Sequence, residues 1–499
     1  MSIVKQNIIA NFGGKAWQAI MSIAFVPLYI KFMGMDSYGL MGMFTSMFAV
    51  FGILDMGLSN TLNRELARLS ILPLHAQEMR DLVRTLEIPY WVISIIIGLG
   101  IVGLSGPIAH YWLRSDKLSP EIIKQALMIM GGVIAFRFPV GLYSGGLMGL
   151  QKQVLLNFIN ILVDTFRGVG SVMILWLVSP TIQAFFIWQI IISVLHVLLV
   201  TFFLWSNLPK STKRPQFKKK SLIQIWRFAA GMAGITITSV MLTQTDKIIL
   251  SKLLSLQLLG YYTLATVVAN TLYFFISPIF VSVFPRFSQL VSINDPNALK
   301  ILYHKSCQLM SVMILPAAII VSLFSAQILL LWTNDVLIVS NSYLVVSIFI
   351  IGTAINGLMN LPYGLQIANG WTKLSFYSNI IASVFQIPLI YLFSINFGVI
   401  GAASAWLILN VCLGIISVHI MHSRLLQGEK WKWYVNDVGR PFLSAFIISM
   451  IWRLLIPNDL SKSSMVIYIF LASITSLIAS AFTTNATRVV MKNILSKFK

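Results

Sequence analysis

The sequence predicts an all-α polytopic membrane protein of about fourteen transmembrane helices, two six-helix repeats followed by two further helices. Three observations carry that expectation. Hydrophobic residues fill 57% of the 499 positions and charged residues only 10%, where a soluble domain carries about 25% charge. The apolar runs are about 20 residues long, the length a helix needs to cross hydrocarbon; a barrel strand needs about 10. Lys and Arg number 36 against 15 Asp and Glu, and they alternate between crowded and nearly empty turns along the chain.

The expected spans run 10–33, 40–62, 88–112, 122–150, 153–178, 182–205, 225–251, 258–285, 306–333, 340–367, 374–395, 400–422, 437–456 and 464–484. With the N-terminus in the cytoplasm, 25 basic residues fall in the even-numbered turns and the two termini, against 7 on the opposite side. The positive-inside rule then places both termini inside. The same rule accounts for the formal net charge of +21, with no nucleic acid required. The first span lacks a small-residue cleavage pattern, so it reads as a helix that stays in place. Cys307 and Cys412 sit in apolar helices and suggest neither a disulfide framework nor a metal site.

The stretch PKSTKRPQFKKKS between Pro209 and Ser221 divides the chain. It reads as a cytoplasmic linker obeying the positive-inside rule, with a lipid-headgroup or regulatory patch as the alternative. Residues 1–208 then form an N-terminal six-helix lobe, 209–221 the basic linker, 222–424 a second six-helix lobe, and 425–499 two extra helices with a basic tail. The lobes look like a repeat at an offset of about 221 residues. Gly39 answers Gly260, Lys152 answers Lys373, and Asn157 and Asp164 answer Asn379 and Gln386 with one residue of slippage. Paired repeats are a recurrent transporter plan, with the substrate site at their interface.

Candidate functional residues are the charges inside spans: Lys15, Asp55, Arg137, Asp164, Arg167, Asp246 and Lys247. Each costs about 2.5–3.5 kcal/mol at a helix centre and therefore should face protein or water. Asn11, Lys15, Gln18 and Ser22 form one polar stripe on the first helix. Asn157, Asn160, Asp164, Arg167 and Ser171 form another on the fifth, and Thr236, Ser239, Thr243 and Asp246 a third on the seventh. Asn356 and Asn360 line up on the tenth helix, and Asn379 with Gln386 on the eleventh. Such stripes either line a hydrophilic cavity or join helices by hydrogen bonds. Asp164 and Arg167, three residues apart, can pair. Lys15, Arg137, Arg167 and Lys247 suit an anionic phosphate, and Asp55, Asp164 and Asp246 suit a counter-ion or coupling-cation role. No GxxxxGK[ST] loop and no HExxH motif occurs, so the chain gives no sign of nucleotide hydrolysis, of a catalytic metal or of any cofactor. The longest loop outside, around Arg114 to Glu121, is short for a polymerase that works on lipid-linked sugar.

The segments NIIANFGGKAWQAIMSIAFVPLYIKFMGMDSYGL, FGILDMGLSNTLNRELARL and GLMGLQKQVLLN, with the repeated halves, give the chain a family likeness over about residues 1–425. It resembles the polysaccharide repeat-unit flippases (Wzx type) of the multidrug/oligosaccharidyl-lipid/polysaccharide exporter superfamily. The resemblance implies two six-helix lobes that rock around a basic cavity in the bacterial inner membrane. Such proteins carry undecaprenyl-diphosphate-linked oligosaccharide from the cytoplasmic to the periplasmic leaflet, with coupling to Na+ or H+ in related members. A polysaccharide polymerase and a chain-length regulator are the implied protein partners, beside the membrane lipids. In lipid II flippases, basic residues on the first and seventh helices contact the diphosphate; Lys15 and Lys247 match by helix. Fourteen helices also fit a lipid II flippase, and the buried acids leave a cation-coupled drug exporter of the same fold as a further alternative.

Overall fold

The computed structural model describes residues 3–70, 75–457, 460–484 and 487–488, without the side chains of 3–5, 8–9, 220–221 and 224–236. Among the described residues there is no strand, and ten helices are long and apolar enough to cross a membrane. All fourteen expected spans fall on helical chain. The chain is a multi-pass helical membrane protein, and its contacts divide it into two compact units, Met1–Gly260 and Tyr261–Lys499.

The first unit holds α1 (Ile3–Ala24), α2 (Val26–Phe51), α3 (Leu58–Leu69), α4 (Ala76–Pro107), α5 (Pro120–Arg137), α6 (Val140–Gly149), α7 (Gln153–Leu177), α8 (Ile182–Asn207) and α9 (Lys219–Leu253). Helix starts carry the expected chemistry. Ser119 accepts from the Ile122 amide with Pro120 behind it, and Thr181 accepts from the Ala184 amide. The backbones of α4 and α5 approach where Gly98 meets Gly131, and the Ser94 hydroxyl donates to the Ala135 carbonyl. The glycines of the GLYSGGLMG run do similar work: Gly145 and Gly149 bring α6 against the α3 backbone at Ser59 and Asn63.

Two features of this unit depart from the expected layout. The second span, expected to be continuous over 40–62, is broken. After α2 the chain makes a 3₁₀ turn, Gly52–Asp55, and Met56 and Gly57 adopt left-handed backbone conformations at φ 49° and 76° before α3 begins. Asp55 makes the break tenable by accepting from the backbone amide of Ser59 at 3.2 Å and from its hydroxyl at 2.9 Å. The second feature is that contacts divide the chain at Gly260, because α9 packs on α2, α3 and α4. The linker is bound to the same unit. Asp81, 2% exposed, takes the Gln216 amide at 2.8 Å and the Lys218 ammonium at 2.6 Å, and Thr85 takes the Lys218 amide at 2.9 Å.

The second unit receives α10 (Leu256–Asn270) and holds α11 (Tyr273–Ser292), α12 (Pro296–Leu323), α13 (Ser325–Thr333), α14 (Val336–Ala368) and α15 (Thr372–Leu425). It closes with the short α16 (Lys430–Lys432), α17 (Arg440–Leu454) and α18 (Lys462–Phe482). The expected eleventh and twelfth spans are joined without a loop in α15, whose 54 residues bend at Gly398 (φ 57°, ψ −136°). That backbone conformation is open to glycine at little cost. The extra helices α17 and α18 pack on α12. They are tied there by His304 of α12, 5% exposed, whose two ring nitrogens face Asp437 and, at 3.1 Å, Glu429.

Candidate functional site: a charged cavity in the first unit

A cavity of about 380 Å³ opens inside the first unit, walled by α1, the broken second span, α5, α6, α7 and α8. Its lining gathers Gln18, Asp55, Arg137, Asn160, Asp164, Arg167 and His196. The polar stripe of α7 faces inward here. Arg167 Nη1 lies 3.3 Å from Asp164 Oδ1, with both side chains more than four-fifths buried. Arg167 keeps two more buried donors, Nε and Nη2, which have no hydrogen-bond partner among the described residues. The Arg137 guanidinium, at the last residue of α5, lies over the Phe48 ring at 4.6 Å, a cation–π contact that leaves its N–H fork available. Asp164 stands in the field of Arg167, Arg137 and Lys15. The Asp55 carboxylate is held by Ser59 at the helix break.

The structure brings six of the expected residues to this cavity: Gln18, Asp55, Arg137, Asn160, Asp164 and Arg167. Lys15 is exposed on α1, its ammonium 3.4 Å from Gln18 Oε1. Lys247 is elsewhere. It lines a separate apolar cavity of about 260 Å³ with Met43, Met47, Phe51 and Trp112, and Asp246 beside it is 6% exposed. Asn11 and Asn157 bridge α1 to α7. Asn157 donates to Asn11 at 2.6 Å and Asn11 donates to Gln153 at 2.7 Å, so they join helices and do not line the cavity. Thr243 is exposed and bonds the Ser239 carbonyl of its own helix at 3.0 Å. Thr236 lies outside the described side chains.

In the second unit Asn356 donates to Asn410 at 2.9 Å and accepts from the Tyr273 hydroxyl at 2.9 Å. Asn360 donates to the Asn356 carbonyl at 3.1 Å, and Asn379 is half-buried on α15.

The residues expected from the sequence do not include His196. It is 8% exposed in the middle of α8, and its Nε2 lies 3.2 Å from Asn160 Oδ1. The signal was present: Gln189, Ser193 and His196 repeat at helical spacing and all are buried. Glu87 was passed over because the third span was begun one residue later. It is 7% exposed and takes the Tyr143 hydroxyl at 2.6 Å and Arg84 at 2.8 Å.

The cavity can therefore bind an anion on two guanidinium groups while neighbouring carboxylates hold a proton or cation. Known proteins give this arrangement a context. A protein of Shigella flexneri described as an O-antigen transporter is 23% identical over 429 residues, 85% of this chain and 99% of that protein. The structure of the lipid II flippase MurJ in an inward-closed conformation matches with a TM-score of 0.69 at 17% identity, over 96% of this chain and 98% of the other. An inward-facing multidrug resistance MATE family transporter of the MOP superfamily also matches at 0.69, with 12% identity over 82% and 94%. Residues 232–392 match the MatE family. Residues 4–291, more than half of the chain, match the polysaccharide biosynthesis protein family, and the chain belongs to that family.

Proposed function

We propose that the protein is a flippase of the Wzx type, which moves an undecaprenyl-diphosphate-linked oligosaccharide from the cytoplasmic to the periplasmic leaflet for surface polysaccharide synthesis. The observation that carries this reading is Arg167, which keeps two buried donors without a partner among the described residues and lines, with Arg137, one cavity inside an apolar helix pack. Guanidinium forks match phosphate oxygens, and in a low dielectric that attraction is strong. The family membership and the likeness to an O-antigen transporter support the choice of substrate. The substrate crosses without covalent change. Lys15, exposed beside Gln18, meets the diphosphate as it enters, and Asp55 and Asp164 answer to the coupling ion, Na+ or H+. The protein sits in the inner membrane with both termini cytoplasmic, where a polymerase and a chain-length regulator take up its product.

The test is a reconstituted flipping assay. Proteoliposomes loaded with a fluorescent undecaprenyl-diphosphate oligosaccharide are quenched from outside by a membrane-impermeant reductant. The protein is expected to make the lipid accessible at several times the rate of empty vesicles, and Lys15→Ala to slow this with normal reconstitution. Rates equal to those of empty vesicles overturn the proposal. Extrusion of a cationic dye in place of the lipid favours the drug-exporter alternative.

A further inference from the structure

The charged cavity offers donors on one side, Arg137 and Arg167, and one feature that does not suit a phosphate. His196 is more than nine-tenths buried on α8, lines the cavity, and its Nδ1 has no hydrogen-bond partner among the described residues. Its other ring nitrogen, Nε2, lies 3.2 Å from the amide oxygen of Asn160 on α7. An amide oxygen only accepts, so in the neutral imidazole Nε2 carries the hydrogen and Nδ1 is left with a lone pair. A buried acceptor without a donor is costly and calls for an occupant. Phosphate oxygens are acceptors and repel that lone pair. A hydroxyl is the complementary group.

We infer that His196 Nδ1 accepts a hydrogen bond from a hydroxyl of the sugar joined to the diphosphate, so that the Asn160–His196 pair reads the sugar while Arg137 and Arg167 take the phosphate. The inference rests on the flippase reading and names the sugar end of the same site. The distribution of groups fits it. Donors come from α5 and α7, the acceptor comes from α8, and all three side chains line the cavity of about 380 Å³. A hydrogen-bonding site of this kind discriminates well, because an analogue that lacks the hydroxyl leaves the buried nitrogen unpaired.

Two water-dispersible probes separate the parts: farnesyl diphosphate, and farnesyl diphosphate carrying a single hexose. Their affinities for the detergent-purified full-length protein are measured by calorimetry. His196→Phe keeps a flat ring and removes the acceptor. It is expected to weaken the hexose-bearing probe about tenfold and leave farnesyl diphosphate within twofold, whereas Arg167→Ala weakens both. Asn160→Leu, which frees the ring to turn, is expected to give a smaller loss confined to the same probe. Melting temperatures of each variant separate misfolding from lost contact, and Asn160→Leu carries the test if His196→Phe does not fold. Equal weakening of both probes, or of neither, in the folded His196 and Asn160 variants overturns the inference. If wild-type protein binds neither probe, the flippase reading fails instead.

Discussion

The charged groups that α5 and α7 bury in the first unit line a cavity; the amides and hydroxyls around Asn356 in the second close on one another. In the first, Asp164, Arg167, Arg137 and Asp55 share one lining, and Arg167 still has donors to spare. In the second, Tyr273, Asn356, Asn360 and Asn410 form a chain of hydrogen bonds. The repeat expected from the sequence would sharpen the contrast, since it sets Asp164 against Gln386, a neutral side chain 1% exposed whose amide has no partner among the described residues. An amide pair is satisfied by its neighbour and stiffens the bundle. A guanidinium with one carboxylate is only partly satisfied, and it retains affinity for an anion from outside.

The largest effect expected from this contrast is at Arg167. Arg167→Ala should reduce surface polysaccharide export about ten- to hundredfold at normal membrane level, because it removes a fork from a buried charge pair and strands Asp164. Arg167→Lys should recover only part, since an ammonium keeps the charge and loses the fork. Asn356→Ala should instead lower stability by about 0.6–2 kcal/mol and leave export per folded molecule within twofold. An Asn356→Ala protein that is folded at wild-type level and fails to export would break the comparison.

Much of this was legible in the sequence, for physical reasons that also explain the rest. Spans were legible because hydrocarbon thickness sets their length. The α7 stripe was legible because Asp164 and Arg167 are conspicuous at helical spacing, and the structure puts them 3.3 Å apart. The broken second span was hidden, because GILDMGL reads as apolar helix and the break depends on left-handed Met56 and Gly57 with Asp55 bonding Ser59. The separation of Lys247 from the arginines was hidden too. Periodicity gives the face of a helix, while the neighbour it meets is decided by packing, here α9 on α2. Asn11 and Asn157 show the same limit: a stripe of asparagines looks alike whether it lines water or holds α1 to α7.

The extra helices offer a second, smaller test of bracing against binding. His304 presents one ring nitrogen to Asp437, which is fully buried, and the other to Glu429. Tyr303 beside it meets His422 Nε2 at 3.2 Å. His304→Ala should leave the buried Asp437 carboxylate with Gln308, 2.8 Å away, and without its imidazole partner, and cost up to about 3–5 kcal/mol of local stability. Hydrogen exchange should rise along α17 and α18 and stay at the wild-type level in α7. Equal acceleration in α7 would mean that the cluster holds more than the last two helices.

The smallest expected effect concerns pH at the same anchor. Glu429 lies in the turn after α15, 3.3 Å from Lys432 and 3.6 Å from Lys300 as well as 3.1 Å from His304. Burial alone would raise its carboxyl, but Lys432 and His304 outweigh that and hold it below its ordinary value of 4.5. A carboxylate whose folded value is depressed stabilises the fold fully above its unfolded value and loses that contribution as pH falls through the folded one. Wild-type protein should therefore melt lower at pH 3.5 than at pH 7, and Glu429→Gln should shrink that gap. Because the side chain is one-fifth exposed and its partners reach water, the difference should be only about 1–2 °C. The sign is the informative part: Glu429→Gln should lower the melting temperature at pH 7 and change it less as the pH falls and the wild-type carboxyl takes up its proton. A Glu429→Gln protein that melts like wild type at pH 7 would show that His304 and Asp437 hold the extra helices without it.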